Sequence, residues 1–202
     1  MKMGSVLAFA AVLSASAVAR ADAVAVVGDS IAVGLTAPLA EALAKAGDSV
    51  EGYAVSGSGL ANASLADWPA KAKGIAAGLP TAVVVQIGTN DGQGMKGLAF
   101  GTEAWKAEYR RRADAFLAPF AEVGTEIRCL GTLPPERLDL KRTVPVVSGI
   151  LREACLAAGG SFTEVEVHPK DRAGDRIHLT LDGYARLGEA AARAVHTPNI
   201  AP

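Results

Sequence analysis

Ser30 follows an apolar run without interruption, in the stretch AVAVVGDS at 23–30. A serine hydroxyl at a strand-to-helix turn is exposed and lies beside N–H groups that the first helical turn leaves free. Those groups and the helix dipole can hold negative charge developing on a substrate. Taken alone, Gly28-Asp29-Ser30 reads better as an ordinary helix cap. A nucleophilic serine needs a base, and the chain has three histidines. His178 ends the tetrapeptide Asp175-Arg176-Ile177-His178. On a tight turn of that spacing the carboxylate reaches one imidazole nitrogen. It fixes the tautomer, favours the imidazolium and leaves the other nitrogen for the serine proton. His168, before a proline in a polar stretch, is the lesser candidate base, and His196 reads as a surface residue near the C-terminus.

An attacked carbonyl also needs donors for its oxygen. Asn90, in Gly88-Thr89-Asn90-Asp91, can aim a side-chain N–H₂ at an oxyanion, and Asp91 can brace its loop through backbone hydrogen bonds. Gly57 and Gly59, in Ser56-Gly57-Ser58-Gly59, let a backbone N–H approach a ligand with no side chain in the way. Each signal has a plain counterpart: an Asx turn, a flexible loop, a chance Asp-x-x-His. Cys129 and Cys155 have no histidine nearby and make a poor zinc site. Two readings of them stand, one disulfide or two buried thiols.

The elements that must position these residues alternate. Strands are expected at 23–27, 50–55, 82–87, 126–130 and 162–167. The run AVAVV is continuous and apolar, as a strand covered on both faces is, and AVVVQI is the clearest central strand. Helices are expected at 31–46, 68–77, 103–122, 144–158 and 180–195. Leu35, Leu39 and Leu43 share a face of the first, which Pro38 should kink or delay. Thr102 caps the third, where Trp105, Tyr109, Phe116 and Phe120 share a face. The loops at 92–101 and 134–143 are placed to shape a pocket. Alternation of this kind predicts a three-layer α/β/α domain with a central, mostly parallel five-stranded sheet, flavodoxin-like in layout. Sites in such sheets form at the carboxyl ends of the strands, where Ser30, Gly57, Gly59 and Asn90 fall.

Composition agrees with one globular unit. Of 202 residues 50% are hydrophobic and 20% charged, too apolar for a disordered chain and enough for a real core. The net charge of -1, with no basic excess, argues against nucleic acid as a partner. Residues 1–21 read as a signal peptide: Lys2, then an apolar stretch rich in small residues, then Ala19-Arg20-Ala21. An uncleaved anchor is the lesser reading, since the apolar run is short for a membrane span. Cleavage after Ala21 leaves 22–202 as the mature domain, with 18 bases against 21 acids once Lys2 and Arg20 are removed. The protein is then expected to be exported, periplasmic or secreted, in an oxidising compartment, without stable membrane insertion.

The order of the blocks is more specific than any one of them. Serine after the first strand, glycine after the second, asparagine after the third and Asp-x-x-His near the end resemble the SGNH hydrolases, also called GDSL-type esterases. The resemblance covers nearly all of the mature chain. Gly28-Asp29-Ser30, Gly88-Thr89-Asn90-Asp91 and Asp175 to Thr180, followed by Gly183-Tyr184, carry it. Ser58-Gly59-Leu60 with Asp67-Trp68-Pro69, and Trp105 with Tyr109-Arg110-Arg111, look like a bacterial envelope-associated branch of undefined substrate.

The resemblance implies ester hydrolysis through an acyl-enzyme, with Ser30 as nucleophile, His178 as base and Asp175 orienting it. The N–H groups of Ser30 and Gly59 and the Asn90 side chain would form the oxyanion hole, with Gly57 as the alternative to Gly59. No metal or cofactor is called for. The implied substrate is a small-molecule or glycan ester, with short acyl groups such as acetyl favoured. An O-acyltransferase with the same triad and a non-catalytic glycan- or anion-binding module are the rival readings. Arg110, Arg111 and Arg112 read as a solvated helix face, with contact to an anionic substrate as the lesser reading.

Overall fold

The structure, a computed structural model, describes residues 22–198, so the expected signal peptide at 1–21 lies outside the described residues. Five parallel strands, β1 (Ala23–Gly28), β2 (Ser49–Gly52), β3 (Ala82–Gln86), β4 (Glu126–Leu130) and β5 (Ser161–Thr163), form one sheet in the order β2-β1-β3-β4-β5. The α/β architecture expected from the sequence is the one observed. Helices α1 (Ser30–Leu43) and α6 (Leu181–His196) cover one face. Helices α2 (Trp68–Ala76), α3 (Glu103–Glu122) and α5 (Val144–Ala157) cover the other, and a short α4 (Leu138–Lys141) interrupts the loop after β4.

Alternation within the central strands builds the two cores. Val24 and Val26 of β1 and Ala82 and Val84 of β3 pack with Ile31, Leu35, Leu39 and Leu43 of α1. Ala25, Val27, Val83 and Val85 face the other way, onto Trp105, Tyr109, Phe116 and Phe120 of α3. Both faces are apolar because both are covered, which is why these strands read as unbroken runs. Each fully buried Leu or Phe side chain contributes about 1.5–3 kcal/mol. Cys129 on β4 and Cys155 on α5 are joined in a disulfide, so the paired reading of the two cysteines is the one realised.

Several element ends differ from expectation. Helix α1 is continuous through Pro38 and starts at Ser30 without delay, then tightens into a 3₁₀ turn at Ala44–Ala46. Strand β2 ends at Gly52, short of the expected 55, because it is an exposed edge strand with no apolar alternation to mark it. Tyr53 and Val55 still donate to the carbonyls of Val26 and Gly28, so the chain tracks β1 up to the site. Strand β5 stops at Thr163 rather than 167, as Val165 and Val167 turn over the α1/α6 core.

The chain leaves β1 for β2 on one side and reaches β3 on the other. That reversal opens a crevice at the carboxyl ends of β1 and β3, where ligands bind in open parallel sheets. Ser30 and Asn90 follow those two strands.

Candidate active site

Gly28 ends β1 where its backbone and that of β3 nearly touch. A Cβ there would lie 1.8 Å from the Gln86 carbonyl oxygen, and its φ of 143° also suits glycine alone. Asp29, fully buried, caps α1: its Oδ1 accepts from the Ile31 N–H at 3.0 Å and its Oδ2 from the Thr89 N–H at 3.0 Å. The carboxylate thus ties the β1 turn to the β3 turn. Burial raises its pKa to about 6 against the pull of those two N–H groups. Ser30, the next residue, is the first of α1, so its N–H has no acceptor within the helix.

The four residues 175–178 form a turn held by its own side chain. Asp175 Oδ1 accepts from the N–H groups of Ile177 and His178, both at 2.9 Å, while Arg176 takes a left-handed φ of 62°. Asp175 Oδ2 meets His178 Nδ1 at 2.5 Å, and His178 Nε2 meets Ser30 Oγ at 2.8 Å. An ionised carboxylate only accepts, so Nδ1 carries the proton and the Ser30 hydroxyl donates to Nε2. The His178 imidazole and the two N–H groups hold the Asp175 carboxyl down at about 2. His178 and Asp175 side chains are 38% and 47% exposed, so this cluster opens directly to solvent.

The base of the turn is anchored as well. Asp171 pairs with Arg186 of α6, and Arg172 donates to the carbonyls of Ile177 and Pro134. Thr180 caps α6 by accepting from the Gly183 N–H at 3.1 Å.

Across the crevice Asn90 donates its Nδ2 to the Ser58 carbonyl at 2.9 Å, which leaves one amide hydrogen for a ligand. Asp91 does not brace its own loop, as the sequence suggested, but the neighbouring one. Its carboxylate accepts from Leu60 N–H at 3.0 Å, Ala61 N–H at 2.8 Å and the Tyr109 hydroxyl at 2.7 Å. Those hydrogen bonds moderate the upward pKa shift that burial gives this carboxyl. The contact explains the glycine at 59, where a Cβ would lie 2.0 Å from Asp91 Oδ1. Gly57 sits in the open, its imagined Cβ 3.4 Å from Leu65 at the closest. Among the described residues the Gly59 N–H has no acceptor.

The structure therefore brings Ser30, His178 and Asp175 into one hydrogen-bonded chain. His168 is elsewhere, at the start of a 3₁₀ turn, and exposed His196 pairs with Asp48. Asp22, Asp48 and His196 are the described groups that could gather round a cation, but Asp48 already accepts from His196 and from the Asp22 N–H. They lie at the opposite end of β1 from Ser30. Sequence reasoning missed two residues of α3. Its spacing from Trp105 places Tyr109 on the apolar stripe, and nothing local signals its hydrogen bond to Asp91. Arg112 was grouped with a solvated face; Arg110 and Arg111 do pair with surface acids, but Arg112 reaches the carbonyls of Leu60 and Ala61. Arg172 gave no signal.

Residues 23–171 match a family model described as a protein of unknown function, DUF459. The chain belongs to the DUF459 family. The match stops short of Asp175 and His178, so the last part of the site lies beyond the family model. No curated protein sequence matches this DUF459 chain. Solved structures do resemble it. Axe2, an acetylxylan esterase from Geobacillus stearothermophilus, superposes with a TM-score of 0.68 at 17% identity, covering 89% of this chain and 96% of its own. Est24, a carbohydrate acetylesterase from Sinorhizobium meliloti, gives 0.65 at 18% identity, covering 86% and 98%. A Desulfitobacterium hafniense DCB-2 protein ascribed to the lipolytic G-D-S-L family gives 0.67 at 13%, covering 86% and 99%. The DUF459 chain has the SGNH, or GDSL-type, hydrolase fold.

Proposed function

We propose that this protein is a serine hydrolase of carboxylic esters, acting through an acyl-enzyme on Ser30. The observation that carries the reading is the hydrogen-bonded chain Ser30–His178–Asp175 facing Asn90 and the unengaged Gly59 N–H. Ser30 Oγ attacks the ester carbonyl as its proton passes to His178 Nε2. Asp175, ionised throughout, stabilises the imidazolium. The N–H groups of Ser30 and Gly59 and the free Asn90 amide hydrogen receive the oxyanion. Collapse breaks the bond to the alcohol oxygen, which leaves with the proton from Nε2. Water then attacks the acyl group, giving its proton to Nε2, and Ser30 is regenerated as the acid departs.

Short acyl esters on glycans are the proposed substrates. The names of Axe2 and Est24 support acetyl groups on carbohydrate, and the exposure of His178 and Asp175 suits an ester carried on a bulky polymer. Export to an oxidising compartment is proposed with it, supported by the signal-like sequence at 1–21 and the Cys129–Cys155 disulfide. No described helix is long and apolar enough to cross a membrane.

The test is release of acetate from a short-chain acetyl ester and from acetylated oligosaccharides, by wild type beside folded Ser30→Ala. Loss of turnover by roughly 10⁴-fold or more in the variant is expected for a nucleophile. Equal rates in the two proteins would refute the assignment. Transfer of the acetyl group to an added sugar, in place of free acetate, would reassign the chemistry to acyl transfer.

A further inference from the structure

The loop at 56–61 has no regular secondary structure, yet one helix holds it from both sides. Asp91 takes the N–H groups of Leu60 and Ala61, and Tyr109 of α3 donates its hydroxyl to that same carboxylate at 2.7 Å. One turn further along α3, Arg112 Nη1 donates to the carbonyls of Leu60 at 3.0 Å and Ala61 at 2.9 Å. Arg112 is itself steadied by Glu108, which accepts from its Nε at 2.8 Å. The N–H and C=O of residues 60 and 61 are thus all engaged, and the free N–H beside them is that of Gly59.

One turn earlier on α3, Trp105 donates its indole N–H to the Gln93 carbonyl at 2.9 Å, and its ring stacks on Tyr109 with centroids 4.9 Å apart. Gln93 in turn donates to the Asn90 carbonyl at 3.1 Å. Trp105, Tyr109 and Arg112 form one stripe that reaches the loops of both Gly59 and Asn90.

We infer that Tyr109 and Arg112 are positioning residues of the oxyanion hole, holding the Gly59 peptide through Asp91 and the carbonyls of Leu60 and Ala61. The inference rests on the ester-hydrolase reading. Packing alone does not account for the two polar ends. A phenylalanine would fill the Tyr109 site, and the added hydroxyl meets only the carboxylate that anchors the loop. A solvated arginine has no need of two backbone carbonyls. The consequence is kinetic. An N–H displaced by about 1 Å still admits substrate but meets the tetrahedral oxygen poorly, which can lower rate about 10²-fold.

The experiment compares the full chain with Tyr109→Phe, Arg112→Met and Arg112→Lys on a short-chain acetyl ester, with folding followed by circular dichroism. Expected is a kcat lowered roughly 10- to 10²-fold in Tyr109→Phe and Arg112→Met, with KM within about twofold, since the loss falls on the transition state. Arg112→Lys, which keeps a donor, should recover part of it. Wild-type kcat in folded Tyr109→Phe and Arg112→Met, or a loss confined to KM, would overturn the inference. If Tyr109→Phe does not fold, the Arg112→Met and Arg112→Lys pair decides. Ser30→Ala run alongside separates the two claims. Activity that survives it refutes the hydrolase reading and this inference together, whereas activity that Ser30→Ala abolishes and the α3 variants leave intact refutes this inference alone.

Discussion

Substituting Gly59 with alanine would place a methyl carbon 2.0 Å from Asp91 Oδ1 and 2.8 Å from its Cγ. That carboxylate cannot step aside cheaply, because it is fully buried and accepts from Leu60, Ala61 and Tyr109. If it moves, at least one hydrogen bond to a charged group is lost, about 1.5–3 kcal/mol. If the Gly59 peptide moves, overpacking costs about 1–3 kcal/mol. Relaxation by either route or a mixture of the two gives a destabilisation of about 1.5–3 kcal/mol for Gly59→Ala. Gly57→Ala meets nothing nearer than Leu65 at 3.4 Å and incurs only the left-handed backbone penalty of its φ of 75°, about 1–2 kcal/mol. Urea denaturation of the two variants measures the difference, and acetyl-ester turnover accompanies it. Gly59→Ala should also lose roughly 10²-fold in kcat through misplacement of its own N–H, while Gly57→Ala keeps turnover near that of wild type. A Gly59→Ala protein within about 1 kcal/mol of wild type and fully active, or a Gly57→Ala protein that is the more damaged, would refute the reasoning.

Asp175→Asn should lower kcat by about 10⁴-fold with little change in fold, because an amide can leave His178 in the wrong tautomer; steady-state kinetics reads this, and near-normal kcat contradicts it. Removing the disulfide by Cys129→Ala and Cys155→Ala, 26 residues apart, should cost about 3.5 kcal/mol of stability on the chain-entropy account, read as a lower urea midpoint; an unchanged midpoint counts against it. Asp29 and Asp175 should act in opposite senses with pH. Burial lifts the Asp29 carboxyl to about 6, so the folded state holds that proton more tightly, and its contribution is full below about pH 4 and lost as pH rises through 6. Asp175, held down at about 2, contributes above about pH 4 and loses that contribution as pH falls through 2. The stability advantage of wild type over Asp29→Asn should therefore be larger near about pH 4 than near about pH 7, and a constant difference would contradict the assignment.

The fold was legible where burial writes itself into sequence. Strands β1 and β3 are covered on both faces; AVAVV carries no polar residue and AVVVQ none before Gln86 at its end. Ser30 and Asn90 were legible as candidates because parallel sheets place ligand sites just beyond strand ends, and the 175–178 turn because Asp-x-x-His lets a carboxylate reach one imidazole nitrogen. Edge strands were less so: β2 is exposed along most of its length, and β5 has three half-buried residues, so neither shows a clear alternation. What distinguishes Gly59 from Gly57 in the fold is a close approach to Asp91, more than thirty residues away in sequence, which no local pattern contains. Arg112 misled for a related reason. Its neighbours Arg110 and Arg111 do lie on the solvated face, and only the fold shows that Arg112 reaches carbonyls 51 and 52 residues back.

Ser30 is here proposed as a nucleophile activated by His178. Intact-mass analysis after treatment with a fluorophosphonate tests it, since attack by Ser30 Oγ on phosphorus expels fluoride and leaves one phosphonyl group on the protein. A single adduct is expected that peptide mapping places on Ser30, absent from Ser30→Ala and much slower to form in His178→Ala. An unlabelled wild type that is folded, or an adduct that persists in Ser30→Ala, would contradict it.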